Sequence, residues 1–226
     1  MSDDEELYDD QYYLTLPVDS DRIEMLLRHF NLTSDDTVCE IGCAAGHFLA
    51  EIAGSIQSGI GIDTAAAAIR AGDKRRTDNQ IDNIQFQQIA AQDFADDEQN
   101  VGQFSYVLLM DVTEHIDDQI LAEVLLAAGK LLKPDGRLVI HTPNLSYWLE
   151  RLKDRGIVKQ IYGHIAVRNR TQYLQALTSA GFEKNDTIGL AHYRQPLRTL
   201  DLLLKWIPWV GRLFQARLFI VSQKAP

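Results

Sequence analysis

An α/β domain on a parallel sheet is what this sequence predicts, and three observations carry that reading. Short β-branched runs alternate with amphipathic stretches at the spacing of βαβ units. The first run, Thr37–Ile41, passes through a glycine-bearing turn into an apolar-periodic stretch, which is the order strand, loop, helix. Finally, 226 residues with 46% hydrophobic and 24% charged content can bury an ordinary core, which excludes disorder throughout.

Taken in order, Thr37–Ile41 is the first strand and a helix runs from about His47 to Ala53. Ser58–Asp63 is the second strand, followed by an Ala-rich helix, and Ile84–Ile89 is the third. Phe104–Met110 is the fourth. Gln119–Leu132 places Ile120, Leu121, Val124, Leu125 and Ala128 at helical spacing. Lys133–Gly136 reads Lys-Pro-Asp-Gly, a turn, and Arg137–Thr142 is the fifth strand. Regularity then lapses over 143–170, an insert, until a helix at Thr171–Ala180 that Gly181 stops. Phe182–Ile188 and Arg217–Ser222 are the last strands.

Between them, 197–214 carries more apolar residues than one buried stripe needs. At about 100° per residue, Leu200, Leu203, Leu204, Ile207 and Val210 share one stripe, and Leu202, Trp206 and Trp209 another. Pro208 breaks or kinks any helix there, and burial of both sides is the expectation. A greasy substrate channel or a membrane-surface contact is the alternative use of the excess face.

The net charge of −10 hides a division. Residues 1–136 hold 8 Lys and Arg against 27 Asp and Glu, whereas 137–226 hold 14 against 5. Six of the acids fall within Asp3–Asp10, an acidic tail. Arg151, Lys153, Arg155, Lys159, Arg168 and Arg170 cluster in the insert, where an anionic substrate or lipid surface can meet them. The acidic total speaks against general nucleic-acid binding. With no apolar run of membrane-spanning length and no secretory leader pattern, the expected location is cytoplasmic, with an inner-membrane surface as an option. Cys39 and Cys43 are too few for a four-thiolate zinc site and read as buried, reduced thiols.

The strongest motif is Val38-Cys-Glu-Ile-Gly-Cys-Ala-Ala-Gly-His47. A buried strand ends near the carboxylate of Glu40 and runs through Gly42 and Gly46 into a helix. Glycines there let a ligand approach the backbone, at the crevice where open parallel sheets bind ligands. The second strand ends in Asp63, a carboxylate able to accept two hydrogen bonds from a ribose diol. After the third strand comes Gln92-Asp93-Phe94, an acceptor for an amino group beside a ring that can pack on a base.

Together these residues resemble the class I S-adenosylmethionine-dependent methyltransferases, in particular the subgroup with the ubiquinone-biosynthesis O-methyltransferases. The resemblance covers about residues 37–188 and includes Met110-Asp-Val-Thr-Glu-His115 and Leu132-Lys-Pro-Asp-Gly-Arg137. It implies a Rossmann-like three-layer sandwich with a mostly parallel seven-stranded sheet and an antiparallel last strand. It also implies S-adenosyl-L-methionine as cofactor, contacted by Glu40, Gly42, Ala44, Gly46, Asp63, Asp93, Phe94 and Met110. Ala44 departs from the glycine common in the family, and its methyl is tolerated if its φ is negative. The domain proper is then 31–226, preceded over 1–30 by the tail and a lid segment bearing Tyr8, Tyr12 and Tyr13.

Methyl transfer by in-line attack rests on positioning and desolvation, and a hydroxyl acceptor also needs a base. His115 and His164 are the expected catalytic residues, with His141 either catalytic or bracing its loop. Some similar enzymes hold a divalent metal on an acid, a Glu-His pair and a further histidine, which Asp111, Glu114, His115 and His164 imitate here; metal-free transfer is preferred. The acceptor expected is small or lipid-like, and anionic on the basic half. A nicotinamide-dependent oxidoreductase is the lesser alternative, because no glycine stands between Gly42 and Gly46. A binding or scaffold protein without transfer activity is the other. Nothing in the sequence specifies oligomeric state.

Overall fold

The computed structural model describes residues 10–15 and 20–224. Seven strands form one sheet in the order β3-β2-β1-β4-β5-β7-β6. They are β1 Thr37–Ile41, β2 Ser58–Asp63, β3 Ile84–Gln88, β4 Phe104–Met110, β5 Leu132–Pro143, β6 Phe182–Leu190 and β7 Arg217–Lys224. β1 pairs in parallel with β2 and β4, β2 with β3, and β7 runs antiparallel to its neighbours β5 and β6. The helices are α1 Asp10–Thr15, α2 Ser20–Leu27, α3 His47–Ile52, α4 Ala66–Asp78, α5 Ala91–Asp96, α6 Asp118–Leu131, α7 Trp148–Asp154, α8 Arg170–Ser179 and α9 Leu197–Leu204.

The chain divides into two compact units, residues 1–108 with 130–133, and 109–129 with 134–226. In the first, apolar residues of β1, β2 and β4, such as Val38, Ile62 and Val107, are buried, as are Leu49 and Ile52 of α3 and Ala68 and Ala71 of α4, and both helices pack on β2. Phe86 of β3 sets the packing on that side. Its ring lies where a Cβ on Gly46, Gly61 or Gly72 would stand, so each of these positions requires glycine for space. Gly46 was expected to serve a ligand; its first demand is this ring. α1 packs on α4, with the Tyr13 ring buried among Ala45, Ala67, Ala68 and Ala71. Tyr12 stays exposed, and Tyr8 lies outside the described residues.

The second unit is built on the β5–β7–β6 ribbon, where Val139 opposes Val221 and Ile140 opposes Ile220. Tyr173 and Leu177 of α8, with Phe182 and Phe219, are fully buried there. α8 starts on a capping box: the Gln172 N–H donates to the Asn169 side chain at 3.1 Å, and the Asn169 N–H donates to the Gln172 side chain at 2.9 Å.

Three expectations fail here. Lys133–Gly136 is no turn, because α6 passes straight into β5; the fixed φ of Pro134 suits extended backbone near a strand start, before pairing with β7 begins at Arg137. The insert is not irregular throughout, since α7 occupies Trp148–Asp154. Most consequentially, 197–214 is not buried on both sides. α9 stops before Pro208, Trp209 takes a φ of 70°, and the chain turns instead of continuing a helix, leaving Trp206 and Trp209 80% and 93% exposed.

Candidate functional site

In the first unit the loop after β1 carries three left-handed residues, Gly42, Ala44 and Gly46, with φ of 69°, 47° and 66°. The condition on which the Ala44 methyl would be tolerated, a negative φ, is therefore not met, and an alanine occupies backbone that favours glycine. Hydrogen bonds fix this conformation. The N–H groups of Gly42 and Cys43 both donate to the Ile62 carbonyl, and Arg75 donates from Nε to the Ala45 carbonyl at 2.8 Å. The same guanidinium meets His47 at 2.7 Å, so His47 braces the loop from the start of α3.

Asp63, at the end of β2, accepts the Ala44 N–H on Oδ2 at 3.0 Å and the Ala65 N–H on Oδ1 at 2.9 Å. Each oxygen keeps acceptor capacity, so a carboxylate held by two backbone donors still suits a diol. Glu40 is buried, and its Oε2 has no hydrogen-bond partner among the described residues. Burial pushes its carboxyl up to about 8, against the pull of the Leu49 N–H and Arg22; the Asp63 charge adds to the rise. Buried Cys39 and Cys43 are free thiols, and burial raises both well above the usual range.

Asp93 is exposed in the first turn of α5, as a ligand acceptor requires. Phe94 does not fit its expected part. A ring that stacks on a base presents a face outward, whereas Phe94 is 3% exposed and packs 6.2 Å from Phe104, centroid to centroid. The apolar core outcompetes the ligand for that ring.

In the second unit Met110 ends β4, 8% exposed, and Asp111 follows with a φ of 59°. The Asp111 carboxylate meets Nη1 of Arg217 at 2.6 Å and Nδ1 of His141 at 2.9 Å. His141 thus braces this turn, and Asp111 is drawn away from the four residues that imitate a metal-holding set.

The other three do come together. Ligand atoms of Glu114, His115 and His164 lie within 4.8 Å of one another, and the two imidazoles meet edge to face at 5.0 Å. What joins them, across some 50 residues of sequence, is Arg168. Buried, it donates to the carbonyls of Thr113, Ile116 and Ala166 and to Asp118, while the N–H groups of Ile165 and Ala166 donate to the Glu114 carbonyl. Arg168 is therefore structural and withdrawn from the basic cluster that an anion could meet.

His115 Nδ1 stands 2.9 Å from the Gly163 carbonyl. A carbonyl only accepts, so Nδ1 carries the proton and Nε2 keeps its lone pair. Burial lowers the pKa of His115 and takes His164 down to about 4, where His115 and Arg217 add to the fall, so both rings are neutral at pH 7. Glu114 goes the opposite way. Burial and the nearby Asp111 lift it to about 8, while Arg217 and the Thr142 hydroxyl restrain it. One carboxyl and two neutral imidazoles can bind a divalent cation by donor type. Arg217, 3.9 Å from Glu114 Oε1, is a resident cation beside the same oxygen.

Sequence reasoning missed Arg217, Arg168 as a clamp, and Tyr173, whose hydroxyl bonds Thr113 at 2.7 Å and Thr142 at 3.0 Å beneath Glu114. None sits in a local motif. The signal available for Arg168 was only its position just before the α8 capping box.

An Albidiferax ferrireducens protein described as a ubiquinone biosynthesis O-methyltransferase is 30% identical over 120 residues, 53% of this chain and 46% of the relative. The chain spans about half the length of the curated relatives it matches. Among solved structures, a geranyl diphosphate C-methyltransferase from Streptomyces coelicolor superposes with a TM-score of 0.64 at 18% identity, over 91% of this chain and 78% of that one. A SAM-dependent methyltransferase from Thermotoga maritima gives 0.67 at 15% identity, over 91% and 88%. A family model described as a methyltransferase domain matches residues 17–186, three quarters of the chain, and this chain belongs to that family, as a class I S-adenosylmethionine-dependent member.

Proposed function

We propose that this protein methylates an oxygen of a small or lipid-like acceptor, with S-adenosylmethionine as donor. The observation that carries the reading is His115, a neutral imidazole whose Nδ1 is tied to the Gly163 carbonyl and whose Nε2 is left as a base, beside His164 and Glu114. An oxygen acceptor needs such a group, because a hydroxyl is a poor nucleophile until its proton leaves. The O-methyltransferase description of the curated relatives supports the same choice.

When bound, S-adenosylmethionine supplies an electrophilic methyl on a sulfonium. Asp63 is assigned to the ribose hydroxyls and Asp93 to the base, with the left-handed backbone of Gly42–Gly46 at the methionine portion. The orphaned Glu40 oxygen below that loop supports a polar occupant there. His115 takes the acceptor proton at Nε2, and His164 shares or relays it. Tyr173 and Thr142 hold Glu114 in place, and Arg217 holds Asp111. Catalysis is then mainly positioning.

Among the described residues no helix is long and apolar enough to cross a membrane. A lipid-like acceptor would therefore be met at a surface, in keeping with a place at the periphery of a membrane.

Calorimetric titration with S-adenosylmethionine, S-adenosylhomocysteine and NADH tests the donor. The first two are expected to saturate and the third to give no heat. Phenols and quinone precursors are then screened for methyl transfer with and without magnesium. Saturable cofactor binding with no turnover on any hydroxyl acceptor, or NADH binding alone, would overturn the proposal.

A further inference from the structure

The second unit carries an exposed apolar face with a cationic rim. Over residues 200–210, Leu202, Leu203, Trp206, Ile207 and Trp209 are all exposed, with Leu203 at 71% and the two tryptophans at 80% and 93%. Exposed apolar side chains scattered singly are ordinary, whereas this density in eleven residues is a patch. The charges beside it are of one sign. Between 192 and 215 the cations are Arg194, Arg198, Lys205 and Arg212, and the sole acid is Asp201. Asp201 is buried and faces inward, accepting the His192 N–H at 2.8 Å.

Several amides of the segment are already hydrogen-bonded within it. The N–H of Lys205 donates to Asp201, that of Ile207 to Leu204, that of Gly211 to Ile207 and that of Leu213 to Val210. Each amide already bonded lowers the cost of entering a low-dielectric boundary. Lys205 lies 5.1 Å above the Trp206 ring, a cation beside an indole as headgroup-level anchors are arranged.

We infer that α9 and the Trp206–Trp209 turn dock this protein on an anionic lipid bilayer, indoles at the headgroup level and Arg194, Arg198, Lys205 and Arg212 against lipid phosphates. A second copy is a poorer occupant, because a twofold contact of this segment would set its four cations against four cations, with no exposed acid of the 192–215 segment between them. A bilayer supplies both the apolar layer and the negative surface. The inference rests on the lipid-like acceptor reading by naming the surface where such an acceptor is met.

The test is co-sedimentation of the full chain with phosphatidylcholine vesicles and with vesicles containing phosphatidylglycerol, at low and high salt. Wild type is expected to partition onto the anionic vesicles at low salt, to be released by salt, and to shift its tryptophan emission to the blue. Trp206→Ser/Trp209→Ser should lose about tenfold or more in partitioning, and Arg198→Gln/Arg212→Gln should weaken it while leaving binding to neutral vesicles unchanged. All four side chains lie outside the buried core, so an unchanged melting temperature is expected and serves as the folding control. No association at low salt, association equal in the tryptophan variant, or a concentration-dependent dimer abolished by that variant would each overturn the inference. Calorimetry with S-adenosylmethionine on the same samples separates the two readings: cofactor binding without vesicle binding sinks only the docking surface, and the reverse sinks only the methyl-transfer proposal.

Discussion

Arg217, the first residue of the last strand, holds Asp111, 106 residues earlier in the chain, with Nη1 2.6 Å from Oδ1. Both side chains are largely buried, and the same guanidinium lies 3.9 Å from Glu114 and over the Tyr193 ring at 5.5 Å. Truncating one member of such a pair leaves the other charged and desolvated. Arg217→Leu should cost about 3–5 kcal/mol in urea unfolding. Arg217→Leu/Asp111→Leu should recover part of it, and full additivity of the two losses would show that the pair is not coupled.

Asp63 has two jobs. Asp63→Ala removes the acceptor for the Ala44 and Ala65 N–H groups and the assigned ribose contact, and should weaken S-adenosylmethionine binding by about 1.5–3 kcal/mol. Asp63→Asn, which keeps one oxygen, should lose less stability than the alanine variant. Calorimetry and a melting curve on both separate the roles; unchanged affinity in Asp63→Ala removes the ribose assignment.

Ala44 pays for its φ of 47°. Left-handed backbone costs a non-glycine residue about 1–2 kcal/mol, and glycine loses about 0.5–1 kcal/mol through unfolded-state entropy. Ala44→Gly should therefore be stabilising by up to about 1 kcal/mol, with cofactor affinity kept or improved. A lower denaturation midpoint would mean that the methyl, which packs against the Tyr13 cluster, outweighs the strain.

Glu40 makes stability pH-dependent in a defined direction. Its folded carboxyl is raised to about 8 from 4.5, so between those values the native state binds more protons than the unfolded one. Stability from this group is greatest below about pH 4.5 and declines as pH rises through 8. Glu114, raised the same way, adds to the slope. Melting of ligand-free protein at pH 5.5 and 8 should show a smaller fall for Glu40→Gln than for wild type; equal falls would mean that Glu40 ionises normally.

His115→Ala and His164→Ala should leave cofactor affinity unchanged and slow transfer by about 10²–10⁴-fold for the base. Loss of the folded state in either would instead give these rings a bracing role like that of His141, which sits 2.9 Å from Asp111.

Elements whose signal is local were legible in the residues alone. Thr37–Ile41, Ser58–Asp63 and Phe104–Met110 are strands with the bounds that periodicity and turn residues predict, because side-chain alternation and glycine placement are properties of neighbours in sequence. Asp63 was readable for the same reason, as an acid at a strand end. The sequence by itself determined these elements, their α/β order and the glycine loop. Tertiary packing decided everything that depends on a distant partner. It buried the Phe94 ring against Phe104 and gave the space at Gly46 to Phe86. It diverted Asp111 to Arg217 and joined His164 to Glu114 through the buried Arg168. It also left Trp206 and Trp209 in solvent beyond α9, which ends at Leu204. A side chain's local pattern fixes which face it occupies, while the charge or ring that meets it there comes from whichever strand or loop the fold lays alongside.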